Sequence, residues 1–364
     1  MNSTSDDSAE SGPQGAITAW IPLSATTLNQ FRQDAPLYAV VGVYALIAWL
    51  LSLYLGDGQK YRPFQYIISW TAISILILTI MGAARATWFN PSRPLSSFVS
   101  LGKRHWNLHF VRRFPLILAT GTFYGVFTSV KNMLPDMHPF IWDPVLAAID
   151  YRMLGNHDGW RLVASIIPDG FLLRAMDAIY GWGWLALVMS LSAYVAISPA
   201  MQRHRRQFFL AFFSSWIFAG NILACAFMSG GPSFYAKFTG DNLRFASLLQ
   251  SVSGTGAAAI QDYLWNIYIG GSSFLGAGIS AFPSVHMVSM ALVTLLFKKV
   301  NMYLFWVGIF LTILMELGSV RLGWHYVSDG VAGIAIAVII WRLTRLTERS
   351  TGHRKAAPGI ITRL

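Results

Sequence analysis

The 364-residue chain is 54% hydrophobic and 12% charged, against about 25% charged in an ordinary soluble domain, and this disfavours a water-solvated surface. Its formal charge of +11 reads as Lys and Arg gathered in cytoplasmic loops beside anionic lipid, and not as a nucleic-acid surface. A single cysteine, Cys225, lies inside an apolar run, which excludes an intrachain disulfide and a cysteine-based metal site and leaves a packing residue.

In chain order, residues 1–36 form a polar tail with Asp6, Asp7 and Glu10. They lack the basic start and apolar stretch of a cleavable signal peptide. Residues up to about 30 are expected to be a disordered or surface-lying tail, and the first span an uncleaved anchor. Eight runs are then predicted to be spanning helices: 37–55, 65–82, 114–130, 176–197, 207–228, 284–299, 302–319 and 328–344. Each approaches the ~17–25 apolar residues that cross a bilayer, and backbone in lipid must bond internally, so these are helices.

The expected fold is all-α, a polytopic membrane bundle of about six to eight spanning helices. With the basic C-terminal tail placed inside, Lys and Arg are about twice as frequent on the inner side as on the outer. That puts both termini in the cytoplasm. Two outer segments are too long for turns. Residues 131–175, with Trp142, Trp160, Asp143, Asp150 and Asp158, predict short amphipathic helices lying in the interface. Residues 229–283, rich in Gly and Ser, predict a loop that is re-entrant or lid-like. No internal repeat or inverted-repeat pattern of the transporter kind is evident.

Two segments carry chemistry. Pro283-Ser284-Val285-His286 stands where loop gives way to the sixth span. Pro suits a first helical turn and Ser a cap, free N–H groups at a helix start attract anions, and His286 one turn in could protonate a leaving oxygen. Arg321, His325 and Asp329 follow at intervals of four. They fall on one face of a continuous helix or, as preferred here, on a loop turning into a helix with Asp329 near its start. A carboxylate on one imidazole nitrogen fixes the tautomer and raises the basicity of the other, as a nucleophilic histidine needs. Each motif alone is compatible with a cap or a surface ion pair. Both, however, fall at the ends of adjacent spans on the same predicted side, and ionisable groups at membrane depth default to function.

Those residues resemble the type-2 phosphatidic acid phosphatase superfamily, whose pattern is Lys-x6-Arg-Pro, then Pro-Ser-Gly-His, then Ser-Arg-x5-His-x3-Asp. Here Pro283 to His286 match the second element, and His325 with Asp329 the third. Within it the chain is most similar to the inositol phosphorylceramide synthase branch, through Pro139 to Asp143, Ile149-Asp150, Gly231 to Tyr235, Arg244-Phe245, Ser280 to His286 and Gly323 to Tyr326. The resemblance covers about residues 110–345. Gly318-Ser319 replace the third element's Ser-Arg, with Arg321 two places on, and Lys131 followed by His138-Pro139 mimics the first element with His for Arg.

The resemblance implies a six-helix catalytic core within residues 111–345, after N-terminal spans and a basic loop at 37–110 and before a basic tail at 346–364. It implies that His325 attacks phosphorus, Asp329 orients it and His286 protonates the leaving alkoxide. Arg321, Ser284 and Lys131 or its rival Lys237 would hold the phosphate oxygens. The substrate would be a lipid phosphate ester within membrane lipid, with no cofactor, metal or nucleic acid, at a periplasmic or lumenal face. Hydrolysis and head-group transfer to a lipid alcohol share this machinery, and neither donor, acceptor nor oligomeric state follows from the sequence. His105 and His109 share a helical spacing on the basic loop and read as structural or lipid-contacting. The competing class is a transporter or scaffold that kept the fold without the chemistry. It would emphasise Glu316, which is otherwise expected to pair with Arg321 or another basic group of the site.

Overall fold

The computed structural model describes residues 23–105, 111–271 and 276–353. The expected polar tail before residue 23, His109 and the end of the basic C-terminal tail lie outside them. All regular structure among the described residues is helical, as the composition requires. In order these are α1 (Leu23–Tyr54), α2 (Pro63–Phe89), α3 (Pro94–His105), α4 (Val111–Met137), α5 (Asp143–Met153) and α6 (Gly159–Ile166). α7 (Phe171–Ala178) continues through a π-helical turn at Ile179–Gly183 into α8 (Trp184–Ile197). α9 (Gln202–Ile217) continues through a second π turn at Phe218–Leu223 into α10 (Ala224–Ala226). α11 (Tyr235–Thr239), α12 (Ala246–Val252) and α13 (Gly256–Ile269) follow, and α14 (Val285–Val300), α15 (Met302–Arg321) and α16 (Val327–His353) close the chain.

Six of these stretches are long and apolar enough to cross a membrane: Phe31–Tyr54, Gly58–Phe89, Phe171–Ile197, Pro199–Ala226, Met302–Arg321 and Val327–Leu346. The protein is therefore an integral membrane helical bundle. α4 and α14 pack among them and complete it. α1 begins by Leu23, so residues 23–30, expected in the tail, are helical. Residues 229–283 depart further from expectation, because α11, α12 and α13 occupy much of the predicted loop. α13 has a legible cap: Thr255 accepts the Ala258 N–H at 3.2 Å. Its first turn also donates from Gly256 and Ala257 to Asp177, at 2.7 and 2.9 Å.

Apolar side chains in lipid gain little by leaving it, so close packing holds such helices together. Gly121 and Gly125, four apart on α4, meet α2. A Cβ at Gly125 would lie 2.5 Å from the Pro63 carbonyl oxygen, so only glycine lets these backbones touch. This contact joins the N-terminal helices to the rest of the bundle. Behind it Phe123, Tyr124, Phe127, Phe212 and Trp216 interlock with ring centroids 4.8–6.2 Å apart.

At one end of the bundle, α5, α6 and α11–α13 lie over the start of α14 and the α15–α16 connection. On α6, Trp160 and Val163 are buried while Leu162 and Ile166 are exposed, the two-faced pattern expected of a helix at an interface.

Candidate active site

Ser284 caps α14: its backbone is extended and its hydroxyl accepts the Met287 N–H at 3.4 Å. Pro283 thus lies just outside the helix instead of in its first turn. The Ser284 N–H donates to the Asp329 carbonyl at 3.0 Å, joining the starts of α14 and α16. His286 is the second residue of α14, and its ring is clasped by Tyr180 and Trp184 at centroid distances of 5.0 and 4.2 Å. Tyr180 lies in the first π turn and Trp184 follows it, so the widened turn delivers both rings to one histidine. Such turns often mark functional sites.

His325 sits in the short connection between α15 and α16, not on a continuous helix. Leu322 and Gly323 leave α15, Gly323 with φ +76°, and the Trp324 N–H returns to the Ser319 carbonyl at 2.9 Å. The connection is held from outside. The Gly323 carbonyl accepts the Ser233 N–H and hydroxyl at 3.0 and 2.8 Å, and the Leu322 carbonyl accepts Gln261 Nε2 at 3.0 Å. Asp329, in the first turn of α16, is fully buried. Its Oδ2 accepts the Tyr326 N–H at 3.0 Å and lies 3.4 Å from His325 Nδ1. Nε2 of His325 is thus the nitrogen turned away from the carboxylate. The rings of His286 and His325 are 6.0 Å apart, edge to face. Burial, reinforced by the Lys131 ammonium, holds the His325 imidazole far below the usual histidine range, at about 3, so the ring is neutral near pH 7.

The structure brings five of the other residues singled out from the sequence to different fates. Lys131, on α4, lies near enough for its charge to act on both histidines, with its stem against Gly278. Ser284 stands at the helix start beside them. Arg321 turns away: Nε donates to the Ile167 carbonyl at 2.8 Å and Nη2 to Ser251 Oγ at 2.9 Å, and Nη2 also pairs with Asp169. Lys237, exposed on α11, covers the rings of Trp265 and Phe234 at 4.6 and 5.6 Å. Glu316 is not the partner of Arg321. Its carboxyl is pressed against Gly330, and neither oxygen has a hydrogen-bond partner.

Sequence reasoning did not single out the residues that frame the site. Asp143, fully buried at the start of α5, accepts the Gly230 and Gly231 N–H groups at 2.7 and 2.8 Å and the Tyr326 hydroxyl at 3.0 Å. Burial raises its carboxyl above the usual range, with the three donors pulling the other way. Asp150 accepts the Ser328 N–H at 2.9 Å. Gly231, with φ +83°, lies where a Cβ would come within 2.5 Å of the Trp324 carbonyl oxygen. Both aspartates stood inside the resembling stretches, so their presence was visible and only their partners were not. Tyr180 and Trp184 had no signal beyond aromatic character in an apolar run. Beside His325 a small cleft opens between Asp150, Trp160, Pro232, Phe245 and Tyr326.

A family model described as PAP2 superfamily matches residues 145–343. The chain belongs to the PAP2 superfamily. The match takes in α14, α15 and the connection bearing His325, and leaves α1 to α4 outside it. Searches of curated proteins and of solved structures gave no significant match. Membership in the PAP2 superfamily supports a phosphatase-type function related to lipids.

Proposed function

We propose that this PAP2 protein is a lipid phosphatase or phosphotransferase working through a phosphohistidine. The observation that carries the reading is that His325 Nδ1 lies 3.4 Å from Asp329 Oδ2 while the His286 ring stands 6.0 Å from the His325 ring. The chemistry needs an attack distance of about 3–3.5 Å at one imidazole and a hydrogen bond of about 2.6–3.2 Å at the other, and the two rings stand side by side at the starts of α14 and α16.

In this reading Nε2 of His325 attacks phosphorus, and the bond to the leaving alkoxide breaks. The phosphate anion favours the imidazolium of His286, which gives its proton to that alkoxide. An incoming hydroxyl then attacks phospho-His325, His286 takes the hydroxyl proton, and the phosphorus–nitrogen bond breaks to regenerate the enzyme. Asp329 holds the His325 tautomer and stabilises the charge that develops on the ring. Lys131 and the α14 N-terminus oppose the charge on the phosphate oxygens.

Water as the incoming hydroxyl gives a phosphatase, and a lipid alcohol gives a transferase. The commitment of Arg321 to Asp169, Ser251 and Ile167 favours the second outcome with a phosphodiester donor. Lys131 is then the cation near both histidines, and it balances a singly charged diester better than a doubly charged monoester. Such a reaction is head-group transfer of the inositol phosphorylceramide synthase kind. We place the site on the periplasmic or lumenal side, from the bias of Lys and Arg to the opposite end.

The test uses purified protein, radiolabelled lipid phosphomonoesters and phosphodiesters, and an acceptor lipid alcohol present or absent, beside His325→Ala. Label on the acceptor, lost in the variant, supports transfer. Free phosphate without acceptor supports hydrolysis. Intact folding with no variant-sensitive turnover on either class overturns the catalytic reading in favour of a transporter or scaffold.

A further inference from the structure

The end of the bundle remote from the histidines holds a second constellation. Arg205 of α9 is 2% exposed and Asp34 of α1 is 3% exposed. Nη2 of Arg205 lies 3.2 and 3.1 Å from the two Asp34 oxygens. Arg113 of α4 donates to the Ile197 carbonyl and reaches Gln202 Oε1 at 3.4 Å. The charges of Arg113 and Arg206 also act on Asp34, although only Arg205 bonds to it directly. The donors are not exhausted: Nε and Nη1 of Arg205 and Nε of Arg206 are buried without a hydrogen-bond partner.

Position adds to the case. Gln207 Nε2 donates to the Trp341 carbonyl at 3.1 Å, fastening this end of α9 to α16. Trp341 is twelve residues beyond Asp329 on α16, or about 18 Å at ~1.5 Å per residue. The constellation therefore lies at the far end of the same helices from the catalytic histidines. Buried charge in excess of its partner is costly unless an anion compensates it. Guanidinium groups with free N–H donors match phosphate oxygens, often in pairs.

We propose that Arg113, Arg205 and Arg206 form a binding site for a phosphate anion, carried on an anionic lipid head group or free. The site is separate from the catalytic one and takes its lipid from the opposite leaflet. Asp34 occupies part of the same donor set and acts as a built-in competitor that keeps the arginines together when the anion is absent.

The experiment is native mass spectrometry of the full chain in a neutral detergent, with phosphatidylglycerol, phosphatidylcholine or inorganic phosphate added. Wild type is expected to retain phosphatidylglycerol over phosphatidylcholine by about tenfold or more, at roughly 1 kcal/mol per basic group. Arg113→Gln with Arg206→Gln should abolish that preference. Asp34→Asn, which removes the competing carboxylate and keeps the shape, should strengthen it. Displacement of the lipid by millimolar inorganic phosphate would support the free anion as ligand, and no displacement the lipid. Equal retention of the two lipids by wild type overturns the proposal. So does an undiminished preference in the folded double variant, or a weakened one in folded Asp34→Asn.

Discussion

The hydroxyl of Tyr326 donates to Asp143 at 3.0 Å although the two residues are 183 positions apart. Tyr326 follows His325 directly, and Asp143 also holds Gly230 and Gly231, so one carboxylate fixes the loop in front of the site and the connection that bears the histidine. In Asp143→Asn one of the two oxygens becomes an NH2 that faces N–H donors. Turnover is expected to fall by about 10–100-fold, since a hydrogen bond to a charged group contributes roughly 1.5–3 kcal/mol. Tyr326→Phe, which removes one donor, should cost less than Asp143→Asn. Rates and melting temperatures of both variants check the order.

Replacement of the groups proposed to react should produce graded losses. His325→Ala removes the nitrogen proposed to attack phosphorus, and no acid-labile phosphoprotein should form on rapid quenching with labelled donor. Asp329→Asn keeps the shape but loses the carboxylate, with an expected fall of about 10³–10⁴-fold. His286→Ala should cost about 10²–10⁴-fold, and less with a substrate whose leaving group needs no proton. Phosphoprotein accumulation in His286→Ala with such a substrate is the specific readout.

The buried His325 also makes stability depend on pH. Its imidazole is held at about 3 in the folded chain, against about 6.5 when unfolded. Between those values the unfolded state binds the extra proton, so stability is fully present above about pH 6.5 and declines as pH falls toward 3. Melting temperature should therefore drop less steeply between pH 7 and pH 4.5 in His325→Ala than in wild type. Parallel curves would contradict the buried, neutral ring.

Arg321 tests the division between structure and substrate. With its guanidinium bonded to Ile167, Ser251 and Asp169, Arg321→Gln is expected to destabilise the protein by about 1–3 kcal/mol. The Michaelis constant should stay close to wild type in whatever fraction folds. Asp169→Asn should do less, because Asp169 is largely exposed. A folded Arg321→Gln protein with a strongly raised Michaelis constant would return the arginine to the phosphate.

Gly231→Ala combines a backbone at φ +83° with a Cβ 2.5 Å from the Trp324 carbonyl oxygen. The clash is with backbone, which cannot rotate away. A loss of about 2–4 kcal/mol is expected, seen as a lowered melting temperature or as failure to recover folded protein, whereas Gly240→Ala has open space around it and should be milder.

The helices were legible because apolar length in lipid leaves the backbone no alternative. The meeting of His286, His325 and Asp329 was legible because titratable groups at span ends are rare and these stood at matching positions. Arg321 was read as a phosphate contact from the resemblance, standing two places beyond the arginine of the third element. The helix end that carries it, however, points its side chain toward Ile167 and Asp169 on another segment, which no local pattern encodes. Asp143, Tyr180 and Trp184 escaped for the same reason, since their roles depend on partners far along the chain. The helices α11 to α13 were hidden by the glycines around them, although the Thr255 cap and the alanines after it were a local signal that could have been used.

The Asp143 clamp also bears on the order in which the protein is made. Asp143 leaves the ribosome long before Gly230 and longer still before Tyr326, so every carboxylate contact described for it waits on later synthesis. His286 likewise waits for the helix that carries Asp329. A nascent chain arrested before α16 inserts therefore lacks Asp329, the carboxylate beside His325. The lipid chemistry proposed here begins only once the helix bearing Asp329 is in place, and the membrane receiving the growing chain is spared it until then.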